Sequence, residues 1–240
     1  MPEIGSVTAA AAGGILPALA WLWFWRREDS AHPEPRRLIA LAFLAGMVAV
    51  GVAIPLEKMV APFIASTTLV FTVWSAMEEI IKYAMARLTV LHRYQDDEPI
   101  DSVIYMVTVA LGFAAAENTL FLLSPLSGDT VTQTILTGDL RFVGATLLHV
   151  LSSAVIGCAL GLSFYKKPSI RRWYALAGVI LAGALHATFN FLILNTPQEH
   201  LLRTFGFVWL GLIVLLGMLE YIKRIHPVVQ KTIKRTFSWR

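Results

Sequence analysis

The sequence predicts an all-α integral membrane protein that folds as a single bundle of about seven transmembrane helices. Hydrophobic residues make up 56% of its 240 residues and charged residues only 15%, whereas about a quarter of the residues of a soluble domain are charged. Apolar runs of about 20 residues, long enough to cross a bilayer, recur along the chain. Because short connections separate these runs, we expect residues 1–240 to form one transmembrane domain without a soluble domain.

Each apolar run is assigned to one transmembrane helix. The predicted spans are 5–25, 38–55, 69–91, 100–123, 140–165, 172–194 and 201–222. The first span ends in the sequence WLWFW followed by two arginines, a composition typical of a membrane interface. Residues 56–68 contain Pro62 and are expected to form an outer loop or a surface helix.

The distribution of lysine and arginine predicts the orientation in the membrane. Most basic residues lie in four segments, 26–37, 92–99, 166–171 and 223–240. The opposite side of the predicted bundle carries only Lys58, Arg141 and Arg203. Because basic segments stay in the cytoplasm, we expect the N-terminus outside the cell and the C-terminus inside.

The net charge of +4 therefore indicates contact with a membrane surface rather than with nucleic acid. The basic residues are confined to short segments beside apolar spans, where they are attracted to anionic lipid headgroups. We expect the tail at 223–240 to lie along such headgroups on the cytoplasmic side.

The third span contains three charged residues within one helical turn. Glu78 and Lys82 are four residues apart, and Glu79 and Lys82 are three apart, so both pairs share a helix face. Charged groups at this depth are expensive and usually functional. One carboxylate is expected to pair with Lys82, which leaves the other available for chemistry.

Three further spans place polar side chains at a similar depth. At 1.5 Å per helical residue, Glu78 lies about 13 Å, Glu117 about 10 Å, His149 about 15 Å and His186 about 13 Å from the outer end of its span. Asn190 is four residues after His186 and faces the same way. A shared depth in the outer half of the bilayer predicts that these groups meet at one site, and the glycines Gly112, Gly157 and Gly161 permit the close helix packing this requires.

The order of these motifs resembles a known family. EEIIK at 78–82, DSVIYMVTVALGFAAAEN at 101–118, an arginine and a histidine in the next span, and HATFNF at 186–191 resemble the PrsW family of intramembrane proteases. The more distant likeness is to the CAAX prenyl protease and bacteriocin-processing superfamily, with its EExxxR, FxxxH and HxxxN motifs. Glu117 stands in place of the FxxxH histidine and Lys82 in place of the arginine, as in the PrsW branch.

The resemblance covers roughly residues 69–194, which form the motif-bearing core. It implies a multi-pass protease of a bacterial cell membrane. Its substrate would be a membrane-anchored protein, of the anti-sigma-factor type, cleaved near the extracytoplasmic face. The family pattern also includes Asp101 and Arg141, which would support the site, although their positions at span ends equally suit a helix cap or an interface contact.

Peptide hydrolysis needs an activated water, stabilisation of the oxyanion and a proton for the leaving amine. We expect Glu78 to be the general base, with Glu79 as the alternative. In a zinc route, Glu117, His149 and His186 bind Zn²⁺ and Asn190 polarises the scissile carbonyl. In a metal-free route, Glu78 and a histidine activate water, and His186 and Asn190 form the oxyanion hole. The zinc route is favoured, because His149 and Glu117 add potential ligands that the metal-free route does not need.

Other functions fit parts of the pattern. Intramembrane glutamates and histidines also serve proton-coupled transporters, but the sequence has no inverted repeat. A catalytically inactive scaffold would not need every candidate site residue. Ser152 and Ser153 adjoin the His149 turn, but no glycine-flanked nucleophile motif surrounds them.

Overall fold

A computed structural model describes residues 4–28, 32–123, 131–195 and 201–226, with the side chains of 4–6, 131–143, 193–195 and 201–205 left out of the description. Within these residues the elements are helices only. They are α1 (Ile4–Glu28), α2 (Arg36–Val60), a 3-10 turn (Ala61–Phe63), α3 (Thr67–Thr89), α4 (Asp101–Leu123), α5 (Val131–Leu162), α6 (Pro168–Asn195) and α7 (Leu201–Ile222).

The seven helices confirm the predicted all-α membrane bundle. Five of them, α1, α2, α4, α5 and α6, are long and apolar enough to cross a membrane. Helix α3 is not among these five because Glu78, Glu79 and Lys82 fall within its apolar run. Within α7, the stretch Gly206–Ile222 is a shorter apolar helix.

Helix α4 lies at the centre of the bundle. Every residue from Asp101 to Ala115 is buried, and the helix packs against α1, α2, α3 and α5. Its sequence in this stretch is apolar on all sides, as expected of a helix surrounded by protein. Helix α6 packs against α3 and α5, and α7 lies mainly on α5. The helices that carry the candidate site residues are therefore neighbours.

Glycines allow the central helices to approach closely. A Cβ atom at Gly112 would overlap the backbone of Phe43 in α2, and one at Gly157 would lie 2.6 Å from the Cα atom of Val103 in α4. Gly46 in α2 packs in the same way against the Val109 carbonyl. The prediction that Gly112, Gly157 and Gly161 permit close packing is confirmed, with Gly161 against the Pro99 carbonyl.

Two predicted boundaries differ from the structure. Helix α2 continues to Val60 rather than ending near residue 55, so the first part of the segment 56–68, expected to be an outer loop or a surface helix, is a continuation of α2. Ser66 caps α3 by accepting the Leu69 N–H at 3.4 Å. Helix α5 begins at Val131 rather than near residue 140. The Arg141 side chain and residues 227–240 of the predicted tail lie outside the described residues.

The α2–α4 contact predicts different effects for two glycines of the same helix. Gly46→Ala should destabilise the protein by roughly 1–3 kcal/mol, because the new methyl group overlaps the α4 backbone. Gly51→Ala is the matched control, since a Cβ atom there meets no atom within 4 Å and alanine is the better helix former. Denaturant unfolding of the two variants in detergent would measure the difference. Equal stability of the two variants would show that the helices do not pack closely at Gly46.

Candidate active site

The buried ammonium group of Lys82 connects three of the predicted site residues. Its Nζ atom donates to Glu79 Oε1 at 2.7 Å and to His149 Nδ1 at 2.8 Å, and lies 3.7 Å from Glu78 Oε2. The ring of Phe113 covers it at 4.4 Å. A buried cation without partners would be very costly, so these contacts explain how a lysine with no exposed surface is accommodated. Both glutamates lie beside it, Glu79 closer than Glu78.

Glu79 is fully buried and accepts hydrogen bonds from three helices. Besides Lys82 in its own helix, Ser153 Oγ in α5 donates to Oε2 at 2.7 Å. His186 Nδ1 in α6 lies 2.9 Å from Oε1. A carboxylate engaged by three donors is poorly placed to accept a further proton from water. The geometry therefore favours Glu79 as a residue that holds α3, α5 and α6 in register rather than as the alternative base.

The neighbours of His149 define which of its ring nitrogens carries the proton. Because an ammonium group can only donate, Nδ1 accepts from Lys82. The other nitrogen, Nε2, therefore donates to Glu117 Oε2, 2.8 Å away. Glu117 is the accessible member of the cluster, with 42% of its side chain exposed, whereas His149 is 3% exposed.

His186 is oriented in a similar way by the other buried carboxylate. Its Nδ1 donates to Glu79, which leaves Nε2 with a free lone pair in the neutral ring. Nε2 lies 3.8 Å from Glu78 Oε2. The imidazole rings of His149 and His186 contact edge to face, with centroids 5.0 Å apart.

Glu78 Oε2 is buried and has no hydrogen-bond partner. It lies 3.8 Å from His149 Nδ1 and 3.8 Å from His186 Nε2, and each of these three residues offers a ligand atom within 4.8 Å of the other two. Ligand atoms of a tetrahedral zinc site are about 3.3 Å apart, given bonds of about 2.0–2.1 Å. Two histidines and one carboxylate are also a common ligand set of catalytic zinc. The three residues therefore fit a zinc ion, provided that the hydrogen bond from Lys82 to His149 Nδ1 is broken.

This set differs in one member from the ligands predicted from the sequence. Glu117 contacts Nε2 of His149, the nitrogen opposite the one that faces Glu78. Within the described residues it is not part of the group that could share a metal ion. The geometry therefore favours Glu78 as the carboxylate ligand and Glu117 as the partner that orients His149.

Asn190 lies one helical turn from His186, as predicted. Its Nδ2 donates to the hydroxyl group of Ser75 in α3 at 3.0 Å, and Ser75 is fully buried. The amide is therefore held at the α3–α6 contact, beside the turn that contains Glu78.

The sequence analysis did not identify Glu57 as a site residue. It lies in the last turn of α2, its Oε1 atom is buried without a hydrogen-bond partner, and its carboxylate is close enough to Glu117 and Lys82 to interact with both electrostatically. Its backbone carbonyl accepts from Trp74 Nε1 at 3.3 Å. The signal in the sequence is a charged residue directly after an apolar span, in the segment expected to form an outer loop or a surface helix.

Asp101 lies at the opposite end of α4 from Glu117. It begins α4, sixteen residues before Glu117, which places it about 24 Å away along the helix axis. Its Oδ2 atom accepts the backbone N–H groups of Asp97 at 3.0 Å and Glu98 at 2.6 Å. These contacts favour the helix-cap alternative for Asp101, and its supporting role remains a prediction. For Arg141, the predicted role remains a prediction.

Comparisons with known proteins agree with this arrangement. The family model described as "PrsW family intramembrane metalloprotease" matches residues 34–219. The "Protease PrsW" of Geobacillus kaustophilus is 28% identical over 189 residues, which cover 76% of this chain and 79% of the relative. The "Protease PrsW" of Bacillus subtilis is 25% identical over 214 residues, covering 84% and 91%. No solved structure matches the chain.

The family match includes every helix that contributes a residue to the site, from α2 to α6. The resemblance inferred from the sequence motifs is thereby confirmed, as is the assignment to a membrane-embedded protease. The relatives are bacterial proteins, and the helices described above make this a multi-pass membrane protein. The chain belongs to the PrsW family of intramembrane metalloproteases.

Proposed function

We propose that this protease hydrolyses a peptide bond of a membrane-anchored protein at a zinc ion held by Glu78, His149 and His186. The observation that carries the proposal is the buried Glu78 Oε2 atom, which lacks a hydrogen bond and lies 3.8 Å from one nitrogen of each histidine. A bound zinc ion would act as a Lewis acid and lower the pKa of a coordinated water to about 7.

The carboxylates of Glu79 and Glu117 support this assignment. Each accepts the N–H of one histidine, at 2.9 Å for His186 and 2.8 Å for His149. Metal-binding histidines usually donate their second nitrogen to such a partner, which fixes the tautomer and the ring orientation. In both rings the nitrogen that remains faces Glu78. We therefore exchange the roles predicted from the sequence, with Glu78 as ligand and Glu117 as orienting residue.

The metal-free route uses the same oxygen atom in another way. Without a hydrogen-bond donor, Glu78 Oε2 can accept a proton from water directly, as predicted from the sequence. Deprotonated water then attacks the carbonyl carbon, and His186 with Asn190 would stabilise the oxyanion. The donor set around Glu78 favours zinc over this route, because both histidines direct an unprotonated nitrogen at it, and such atoms cannot donate to an oxyanion.

The depth of the site supports the proposed substrate class. The outer-half depth estimated from the sequence, about 10–15 Å from the outer ends of the spans, favours cleavage near the extracytoplasmic face. Glu117, the accessible residue of the cluster, lies six residues from the end of α4. A protein anchored by a single span, of the anti-sigma-factor type, could present a bond at this level.

Zinc binding is the first prediction. Protein purified in detergent after exposure to zinc should hold about one zinc ion per chain, and His149→Ala and Glu78→Ala should lose it because each removes one of three protein ligands. His92→Ala is the matched control, since His92 is exposed and bonds to the Arg87 carbonyl. Elemental analysis measures the content. Zinc-free wild-type protein would rule out the zinc route and favour Glu78 as base.

The role of Glu117 is tested by two substitutions at one position. Glutamine retains an oxygen that can accept the His149 N–H, so Glu117→Gln should bind zinc with nearly wild-type affinity. Glu117→Ala should weaken zinc affinity by roughly 10–100-fold, the usual effect of losing such a partner. Competition with a chelator measures both affinities. Equal loss of zinc from the two variants would support the original assignment of Glu117 as a ligand.

Proteolysis should depend on the same residues. Cleavage of single-span membrane proteins co-expressed with the chain should fall by at least about 100-fold in Glu78→Gln and His186→Ala, whichever route applies. The control Glu220→Gln, which removes an exposed partner of Lys223, should cleave normally. Immunoblotting for truncated products measures cleavage, and membrane fractionation checks insertion. Normal cleavage by Glu78→Gln would refute the site assignment.

A further inference from the structure

A polar cavity, separate from the candidate active site, lies toward the predicted cytoplasmic end of the bundle. Its volume is about 450 Å³. It lies between the end of α3, the connection from α3 to α4, the end of α5 and the start of α6. Its polar lining comprises Arg87, His92, Arg93, Asp96, Arg171 and Arg172, together with Ser102. We call this cavity the arginine pocket.

The arginine pocket carries an excess of positive charge. Four guanidinium groups face a single lining carboxylate, that of Asp96. Burial raises the pKa of Asp96 to about 6, and its Oδ1 accepts from Ser102 Oγ at 2.9 Å. In the part of the chain that the structure describes, none of the four arginines has a carboxylate oxygen within 4.0 Å. Their charge is therefore not neutralised by an ion pair within the pocket.

Several of the arginines are held in place through only part of their hydrogen-bonding capacity. Arg87 Nη1 donates to the Leu91 carbonyl at 3.1 Å, and Arg93 Nε donates to the Thr89 carbonyl at 2.6 Å. Arg171 lies over the ring of Phe164 at 5.0 Å. Since a guanidinium group has five N–H donors, most of them remain available to a ligand, and the anchoring contacts reduce the entropy lost on binding.

Apart from the phenol of Tyr83, the remaining walls of the pocket are apolar. Leu91, Leu160 and Ala175 line it beside the guanidinium groups, and Ala175 lies one helical turn after Arg171 in α6. A small inorganic anion would use only the charged part of this surface. A ligand with both a phosphate group and hydrocarbon attached to it would use both.

We propose that the arginine pocket binds the phosphate group of an anionic phospholipid. Guanidinium groups bind phosphate oxygens in a bidentate manner, and basic pockets between transmembrane helices on the cytoplasmic side are suited to anionic headgroups. The phosphate would contact Arg171 and Arg172 at the start of α6, and the first carbons of the acyl chains would lie along Leu160 and Ala175.

The test compares lipid retention by purified protein in native mass spectrometry. The wild-type chain should retain phosphatidylglycerol at least about fivefold more than phosphatidylcholine. Arg171→Gln with Arg172→Gln should reduce phosphatidylglycerol retention by about tenfold or more, given the contribution of each basic residue near anionic lipid. The charge-matched control is Arg36→Gln with Arg37→Gln, because both residues are exposed at the start of α2 and lie outside the pocket lining.

A competition arm distinguishes the two sources of phosphate. Inorganic phosphate at millimolar concentration should not displace the lipid. If it displaces the lipid, and protects wild-type but not pocket-variant protein from thermal unfolding, the ligand is a free phosphate compound and the lipid proposal is wrong. Equal retention by the pocket and control variants would also overturn it. Arg172→Gln alone, at an exposed position, serves if the double variant does not fold, and should lower retention in the same direction.

Discussion

The buried ammonium group of Lys82 is the interaction on which the arrangement of the site depends. A cation with no exposed surface must be surrounded by acceptors, and these come from α3 and α5 as Glu79 and His149. Glu79 in turn binds Ser153 and His186, which ties α6 to the same centre. One buried charge thus determines the relative positions of three helices. The packing of α4 adds Phe113 and Glu117 from the fourth.

The network also determines which atoms are available for chemistry. Glu117 accepts the N–H of His149, and Glu79 accepts the N–H of His186. The unprotonated nitrogen of each ring is therefore the one on the side of Glu78. The hydrogen-bond partners of a neutral histidine determine which nitrogen carries the proton, and the partners of His149 and His186 fix one tautomer for each ring. The oxygen without a hydrogen bond, Glu78 Oε2, lies 3.8 Å from both of these unprotonated nitrogens. The lone pair of His149 Nδ1 accepts from Lys82, so a cation bound among the three residues would have to displace that hydrogen bond.

The sequence predicted the helices and which polar side chains lie close together, whereas the roles of those side chains remain proposals. Spans of about 20 apolar residues and the four-residue spacings of Glu78–Lys82 and His186–Asn190 are local patterns, and they were sufficient to place these residues together. The different roles proposed for Glu78 and Glu117 depend on which nitrogen of His149 each carboxylate faces. Glu78 is 71 residues and Glu117 is 32 residues before His149 in the sequence. Helical periodicity carries no information about that. For Asp101 the sequence left a helix cap and a supporting role open, because both place the same residue type at the end of a span. Glu57 was missed because α2 extends further than its apolar run.

The charges of α3 have a consequence for how the protein enters the membrane. A helix with Glu78, Glu79 and Lys82 within its span is not among those apolar enough to cross by composition, and each charged residue at a helix centre opposes insertion by about 2.5–3.5 kcal/mol. The groups that compensate, His149, Ser153 and His186, are synthesised 67 to 107 residues after their partners in α3. Stable integration of α3 must therefore wait for α5 and α6. Biogenesis of this protein is then a cooperative event in which the candidate active site and the membrane topology form together.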